Sequence, residues 1–435
     1  MRAEDSELLT KVGPGTTMGN FMRQYWFPIL KASEVKKDGP PIRFRLLGED
    51  LLAFRDSEEN VGVVEPYCPH RRAELFFGRN EECGLRCVYH GWKFDVNGNC
   101  VDIPSEPDGV DFTDKIKIKA YQSQESAGMI WVYMGDSNPL PKLPDLDVLR
   151  LPQNKINIRI ALRQCNYLQC LEGDIDTAHL AFLHLGLTGD DTFQNSSGEY
   201  YVNLNKTPKY DVVDTETGTM YGARREAEDD SYYWRVARFL LPCWTMTPGG
   251  NIEDHIISRM WVPIDDHNSM FVSLSKIGGA AVQNVSKGKS VAGVTKGFNY
   301  KQNTGKGYLD RWALEEDISN DYLIDRDVQK TESYTGIKGV HLQDQMVTES
   351  MGSIVDRTQE HLGTSDKMIT QTRKRLIKVA KEYAKTGTVP SGVLNPEIYH
   401  KLRSGGMTIS REENWLDEVE ARKEKSSWPD GSNVS

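Results

Sequence analysis

Two short pairs, Cys68-Pro69-His70 and Cys87-Val88-Tyr89-His90, constrain this chain more than any other feature, and 16 residues separate them. Each pair brings one thiolate and one imidazole together, and the fold must then carry both loops to one point. Coincidence is a poor account of four such residues in a chain with nine His and seven Cys. Two sulfur and two nitrogen ligands can hold a zinc ion or a [2Fe–2S] cluster. Pro69 and Gly91 suit tight ligand loops. A zinc finger would more often pair Cys-x-x-Cys with a following His-x-His. Cys-x-His and Cys-x-x-His can each reach across two irons, with both Cys on one and both His on the other. The remaining cysteines, at 83, 100, 165, 170 and 243, are unevenly spaced and make a poor disulfide framework. Cys83 and Cys100 are expected to be buried structural thiols.

A second constellation runs Glu172-Gly173-Asp174-Ile175-Asp176-Thr177-Ala178-His179-Leu180-Ala181-Phe182-Leu183-His184. Asp176 and His179 stand three apart, on one face of a helix. His179 and His184 stand five apart, which a straight α-helix does not align, so a bend or a helix end near Leu185-Gly186 must help. Two neutral imidazoles and one carboxylate make the facial triad of non-haem Fe(II) oxygenases, which leaves positions open for O2, water or substrate. The carboxylate should lie downstream. Asp344, in the helix-like stretch Val340 to Val347, is the choice. Asp317, Asp321, Asp325, Asp327 and Glu349 compete for the role, and periodicity does not separate them. His341 is expected on a solvated helix face.

The chain is long for one core: 435 residues, 38% apolar and 27% charged, point to a globular protein of two domains. The first, 1–150, reads mostly as short strands. Ile42 to Leu46 and Leu51 to Phe54 flank a Gly48-Glu49-Asp50 turn as a hairpin, and Met129 to Met134 is a further strand. Prolines at 139, 141, 144 and 152 mark an extended connector. The second domain, 151–435, has strand-like segments at Tyr232–Leu241 and Met260–Lys276. It also has a Gly/Lys/Ser-rich loop or lid at 283–306 and a helix over Asp366–Thr386 stopped by Gly387. The tail after Glu412 is expected to be loosely held unless a neighbouring subunit covers it. The fold class is thus α+β. A net charge of −10 argues against nucleic-acid or anionic-membrane partners. No apolar run approaches the ~20 residues that cross a bilayer. The polar start, Met1 to Glu7, has no apolar signal core, so a cytoplasmic location is expected.

Taken together, the two constellations resemble the large (alpha) subunit of Rieske non-haem iron ring-hydroxylating oxygenases, most closely the phthalate dioxygenase type, which includes aromatic O-demethylases. The resemblance runs from Gly13-Pro14-Gly15-Thr16 through Phe77-Gly78-Arg79 and Tyr89-His90-Gly91-Trp92 to Gln343-Asp344-Gln345 and Ile354-Val355-Asp356-Arg357. It implies an all-β Rieske domain followed by a catalytic domain of antiparallel sheet flanked by helices. It implies that Cys68 and Cys87 bind one cluster iron, His70 and His90 the other, and that His179, His184 and Asp344 bind a mononuclear Fe(II). Asp176 matches the family's bridging carboxylate, between His179 and a neighbouring subunit's copy of His90. Position 172 holds Glu where naphthalene-type relatives have Asn. A homotrimer or stacked trimers, O2 as co-substrate, and NAD(P)H electrons through a separate flavin/iron-sulfur reductase are further implications. The absence of a Gly-rich dinucleotide fingerprint fits an external electron source.

The expected activity is cis-dihydroxylation of an aromatic carboxylate, with O-demethylation or other monooxygenation of a methoxylated aromatic acid as the alternative. From other classes stand a Rieske electron-transfer protein without a second iron, and a colourless zinc-stabilised binding protein. For substrate, strand alternation puts Trp234, Val236, Arg238 and Leu240 on one face. Arg238 there could pair with a substrate carboxylate or with an acidic side chain of the protein. Arg224 and Arg225 are further candidates for that pairing, with the surface as their expected place.

Overall fold

The structure is a computed structural model and describes residues 1–278, 284–294, 296–302 and 307–426. Two short helices open the chain, α1 (Ala3–Thr10) and α2 (Thr17–Met22), the second capped by Thr16, whose hydroxyl accepts from the Gly19 amide. Ten strands follow: β1 (Trp26–Lys31), β2 (Ile42–Leu46), β3 (Glu49–Arg55), β4 (Val61–Val64), β5 (Arg79–Glu81), β6 (Gly84–Arg86), β7 (Lys93–Phe94), β8 (Cys100–Asp102), β9 (Ala120–Ser126) and β10 (Met129–Tyr133). They form a six-stranded sheet, ordered β1-β10-β9-β4-β3-β2, and a four-stranded sheet, β5-β6-β7-β8. The expected hairpin is β2–β3, with Ile42 opposite Ala53 and Leu46 opposite Glu49. The four-stranded sheet has its own small core, in which Leu75, Leu85, Phe94 and Ile118 surround Cys68, Cys87 and Cys100. Cys83, expected in a core, instead sits partly exposed at the left-handed turn between β5 and β6.

The second sheet system takes β11 (Ile156–Arg163), β12 (Lys209–Asp214), β13 (Gly218–Glu226), β14 (Ser231–Leu240), β15 (Trp244–Met246), β16 (Ile257–Pro263), β17 (Ser269–Lys276) and β18 (Gly405–Ser410). Its order is β11-β17-β16-β15-β14-β13-β12, with β18 also paired to β14. The strand-like run Met260–Lys276 is two strands, turned at Asp265, whose carboxylate accepts from the amides of His267 and Asn268. Six further helices are α3 (Tyr167–Asp174), α4 (Gly198–Leu204), α5 (Arg326–Thr331), α6 (Val340–Ser350), α7 (Lys367–Thr386) and α8 (Ser391–Leu394). In α7 the stripe Met368, Leu376, Val379 and Ala380 is buried, and Gly387, at φ 68, ends the helix by donating its amide to the Tyr383 carbonyl. The mixed α+β architecture agrees with the sequence expectation.

The expectation for the tail is overturned over residues 415–425, while 427–435 lie outside the described residues. A ninth helix, α9 (Trp415–Lys425), follows β18, and its Trp415 ring stacks on Trp234 of β14 with centroids 5.4 Å apart. A long-range aromatic contact of this kind leaves no periodic trace beyond one Trp in a charged segment. Of the Gly/Lys/Ser-rich loop 283–306, positions 283, 295 and 303–306 lie outside the described residues, and the rest carries no helix or strand beyond isolated bridges at Val285 and Tyr300. No helix among the described residues is long and apolar enough to cross a membrane.

Candidate metal centres

The first ligand loop is held by backbone bonds from Cys68 N to Ala73 O and from Arg72 N to Cys68 O. The second is held by Cys87 N to Trp92 O and Gly91 N to Cys87 O. Gly91 has φ +81, and a Cβ there would stand 2.6 Å from Pro104 Cγ, so this turn admits glycine alone. The loops bring the His70 and His90 rings to 4.4 Å between centroids, and His70 stacks on Trp92 at 4.5 Å. Burial pushes the Cys68 thiol up to about 11, opposed by the His70 amide that bonds its sulfur; the neighbouring Cys87 thiol pushes it the same way as burial. The Nδ1 of His90 is buried with no hydrogen-bond partner among the described residues. An orphaned ring nitrogen beside two buried thiols and a second imidazole fits a metal cluster better than a packed core. Around it Tyr67, Phe77, Val88 and Tyr89 are exposed.

The second site begins where α3 ends. Its last turn is pinned on two sides. Glu172 receives two hydrogen bonds from Arg373 of α7, at 2.6 and 2.9 Å, and one from Arg357 at 3.2 Å. Asp174 accepts from Thr245 Oγ1, Arg259 Nη1 and Trp261 Nε1 at 2.7 to 2.8 Å. From His179 the backbone winds into a π-helical turn, Leu180–His184, closed by the Leu185 amide on the Leu180 carbonyl at 3.1 Å. A π turn repeats at a longer interval than an α turn, which is why ligands five apart share one side. The required bend is therefore real, and its physical form is a widened turn.

His184 Nε2 lies 3.1 Å and His179 Nε2 3.7 Å from Asp344 Oδ1. The three ligand atoms fall within 4.8 Å of one another. On the far side of each ring an acceptor fixes the tautomer. Gln343 spends its Nε2 on the carbonyls of Ile337 and Gly293, so its Oε1 must accept from His184 Nδ1, at 2.6 Å. His179 Nδ1 faces Asp176 Oδ2 at 3.5 Å. Burial works to raise Asp176, yet the hydrogen bond and charge of His179 outweigh it and hold the carboxyl below its ordinary range. Both imidazoles thus turn Nε2 toward Asp344, as a shared metal ion requires. The His184 side chain is 2% exposed, His179 27% and Asp344 32%, so the site is closed behind His184 and open on the side of His179 and Asp344.

The competing carboxylates are occupied elsewhere or out in solvent. Asp317 and Asp325 cap helical turns, Asp321 and Asp327 are exposed, and Glu349 accepts from Gln164 N and Tyr322 OH. His341 is not on a solvated face: it packs between Phe271 and Phe298 against Arg163, and burial pulls its pKa far down.

Arg238 is not brought to this site. The face it shares with Trp234 and Val236 is covered by α9, and its Nε donates to the Arg403 carbonyl at 2.8 Å. Alternation grouped these residues correctly, but it does not tell which face of a two-sided sheet meets the iron ligands. The opposite face carries Tyr221, Arg225, Tyr233 and Arg235, and Tyr233 packs with Ala181 and Leu185 of the π turn. Arg225, expected at the surface, is 1% exposed. Gln343 and Asp174 were also missed as supports; the adjacency of Gln343 to Asp344 was the available signal.

Residues 25–122 match the Rieske [2Fe-2S] domain and residues 132–433 the family described as LigXa C-terminal domain like. The 3-chlorobenzoate-3,4-dioxygenase oxygenase subunit of Comamonas testosteroni is 43% identical, over 97% of this chain and 98% of its own. The phthalate 4,5-dioxygenase oxygenase subunit of Pseudomonas putida is 32% identical, over 95% and 94%. The 5,5'-dehydrodivanillate O-demethylase oxygenase subunit of Sphingobium sp. (strain NBRC 103272 / SYK-6) is 31% identical, over 92% and 85%. Among solved structures, NdmA of Pseudomonas putida CBB5 shares the fold with a TM-score of 0.55 at 17% identity, over 92% of this chain and all of that one. A Rieske domain joined to this second domain, over nearly the full length of established oxygenase subunits, makes the chain a member of the Rieske non-haem iron ring-hydroxylating oxygenases, of the phthalate dioxygenase type.

Proposed function

We propose that this oxygenase component acts on a small aromatic carboxylate and adds both atoms of O2 across one ring bond. The balance is arene plus O2 plus two electrons and two protons to cis-dihydrodiol, with NAD(P)H supplying the electrons through a separate reductase. The observation that carries the reading is the pairing in one chain of the Cys68/His70/Cys87/His90 loops with the His179/His184/Asp344 cluster. When bound by these two sets, a [2Fe–2S] cluster supplies electrons singly and a ferrous ion supplies O2 activation. The protein's own part is positioning. Gln343 and Asp176 hold the imidazoles, and Glu172 and Asp174 hold the helix that leads to them.

The carboxylate preference rests on the two relatives whose names specify a chlorobenzoate and a phthalate. O-demethylation is the second reading, favoured by the demethylase relative. For assembly we propose a ring, a trimer or stacked trimers, in which Asp176 links His179 to the partner's cluster. Exposed Tyr67, Phe77, Val88 and Tyr89 at the cluster and exposed Phe182, Leu187 and Tyr334 at the second site support it, because two unlike apolar patches suit a head-to-tail contact. We place the domain boundary between residues 150 and 151, in the strand-free stretch after β10, and the protein in the cytoplasm, which seven cysteines with no disulfide among them fit.

The test is substrate-dependent O2 consumption with a surrogate reductase across benzoates, phthalates and methoxylated aromatic acids, with products traced by labelled O2. Two labelled atoms in a dihydrodiol support the reading. Formaldehyde release from a methoxylated acid transfers it to the alternative, and no coupling with any acid overturns both. Asp176→Asn should keep both iron contents and lose at least about tenfold in kcat, since it removes a carboxylate that orients a ligand.

A further inference from the structure

The two halves of the mononuclear site come from different parts of the chain, and the joint between β11 and α3 ties them together. α3 leads into the π turn that carries His179 and His184, while α6 carries Asp344. At the joint the Gln164 amide donates to Glu349 Oε1 and the Asn166 amide to the Ser353 carbonyl, both at 2.8 Å. Inside α3, Gln169 Nε2 donates to the Thr348 and Gly352 carbonyls, both at 2.9 Å. These bonds hold the C-terminal end of α6 and the turn after it. Arg163, the last residue of β11, holds the middle. Its Nη1 donates to Thr348 Oγ1 at 3.1 Å and its Nη2 to His341 Nε2 at 3.2 Å. Thr348 Oγ1 in turn donates to the Asp344 carbonyl at 2.8 Å. His341 precedes Asp344 by three residues and Thr348 follows it by four, so all three lie on one side of the helix.

Arg163 is 1% exposed, lies 5.2 Å from the Trp261 ring and forms no ion pair among the described residues. Its Nε has no hydrogen-bond partner among them. Glu349, the buried acid on the same helix, is filled by the Gln164 amide, the Tyr322 hydroxyl and Gln345 Nε2. The charge of Arg163 also reaches the Asp344 carboxylate. A buried cation without an ion pair is costly, and an apolar side chain would serve to pack a helix on a strand. A planar fork with both arms bonded does more: it fixes the helix in direction, against both rotation and sliding. We propose that Arg163 is a positioning residue for the mononuclear iron, which grips α6 one turn before and one turn after Asp344 and so aims that carboxylate at the point the two imidazoles share. The proposal rests on the reading of His179, His184 and Asp344 as an iron site, and adds to it a residue that no ligand motif contains.

The test is competition of the anaerobic holoenzyme with a ferrous chelator, which reads the affinity of the mononuclear site. Beside it, the EPR signal of the ferrous site under nitric oxide reads ligand geometry while the oxidised cluster stays silent. Arg163→Met should weaken iron binding about 10- to 100-fold, as loss of an outer support does, and alter the EPR signal at full loading. The visible absorption of the cluster should not change. Arg163→Lys keeps the charge but not the fork, and should recover part of the loss. Thr348→Val removes the acceptor of one arm and should cost severalfold. Trp415→Ala, on the other face of the sheet, should lower Tm and leave iron affinity and the EPR signal as in wild type, which separates positioning from stability. An Arg163→Met protein with wild-type affinity and signal overturns the proposal, as does one whose iron loss Trp415→Ala reproduces at equal loss of Tm. If Arg163→Met does not fold, Thr348→Val decides, and unchanged affinity and signal there overturn it. A wild type that holds no iron beyond its cluster removes the iron site itself. A wild type that holds it, with variants that bind it equally well, removes only the role of Arg163.

Discussion

The amide of Gln343 accepts from His184 Nδ1 at 2.6 Å while donating to the Ile337 carbonyl at 2.8 Å, so one side chain of α6 orients the ligand imidazole beside the carboxylate of its neighbour Asp344. Gln343 is 1% exposed, and no water can replace it. Gln343→Leu should therefore leave the ring free to turn and reduce affinity for the mononuclear iron about 10- to 100-fold. Metal analysis after dialysis checks this: iron should fall from about three to about two per chain, while the visible absorption of the cluster is retained. Retention of the third iron would show that His184 is oriented by packing instead.

Glu172 meets Arg373 and Arg357 in a buried network whose Arg357 side chain is 0% exposed. Removing one member of such a network strands the others. Glu172→Gln should cost about 3–5 kcal/mol of unfolding free energy, read from the denaturation midpoint. Here Glu172 turns toward Arg373 of α7 and Arg357, and its loss should act on stability before it acts on turnover.

The cluster loop carries its own acid dependence. Glu74, just after the first ligand loop, pairs with Arg43 at 2.5 and 2.7 Å and accepts from Tyr308 at 2.8 Å. The Arg43 hydrogen bond, against opposing burial, holds its carboxyl below the usual 4.5. The unfolded chain binds this proton first as pH falls. The pair's contribution is thus complete above the unfolded value and lost as pH drops through the lower folded one. Glu74→Gln should unfold more easily at pH 7 and show a flatter decline in acid than wild type. Parallel acid limbs in the two proteins would assign the dependence to other carboxylates.

The candidate ligands were legible in the sequence because their chemistry is local: two Cys/His pairs, and a His pair with an acid three residues upstream. Asp344 was legible only as one of several acids, since what distinguishes it is that α6 crosses the π turn. The π turn could be inferred as a need, from ligands five apart, though not as a form. Arg238 and Arg225 show the limit most clearly. Strand alternation sorts residues into two faces, and with both faces of β14 covered, neither polarity nor period says which one is under the metal. Arg225 lies in the run Ala223-Arg224-Arg225-Glu226, whose charge reads as surface; its burial comes from tyrosines on β12, β13 and β14 that only the register brings together.

The C-terminal helix is the element whose removal should be felt furthest from its own position. Trp415, 6% exposed, stacks on Trp234, and with Val419, at 1%, it covers Met220, Val236, Met407 and Ile409. Without α9 this face of β14 and β18 would present a continuous apolar patch, and Arg238 would lose its cover. Trp415→Ala should cost about 3–5 kcal/mol, the usual loss for a buried Trp. The opposite face of β14 carries Tyr233 and Arg235, so loosened packing should also reach the substrate side. The expected sign is a lowered Tm accompanied by a rise in KM for the aromatic acid, both measured on the same preparation. A lowered Tm with KM unchanged would show that the two faces of the sheet are energetically separate.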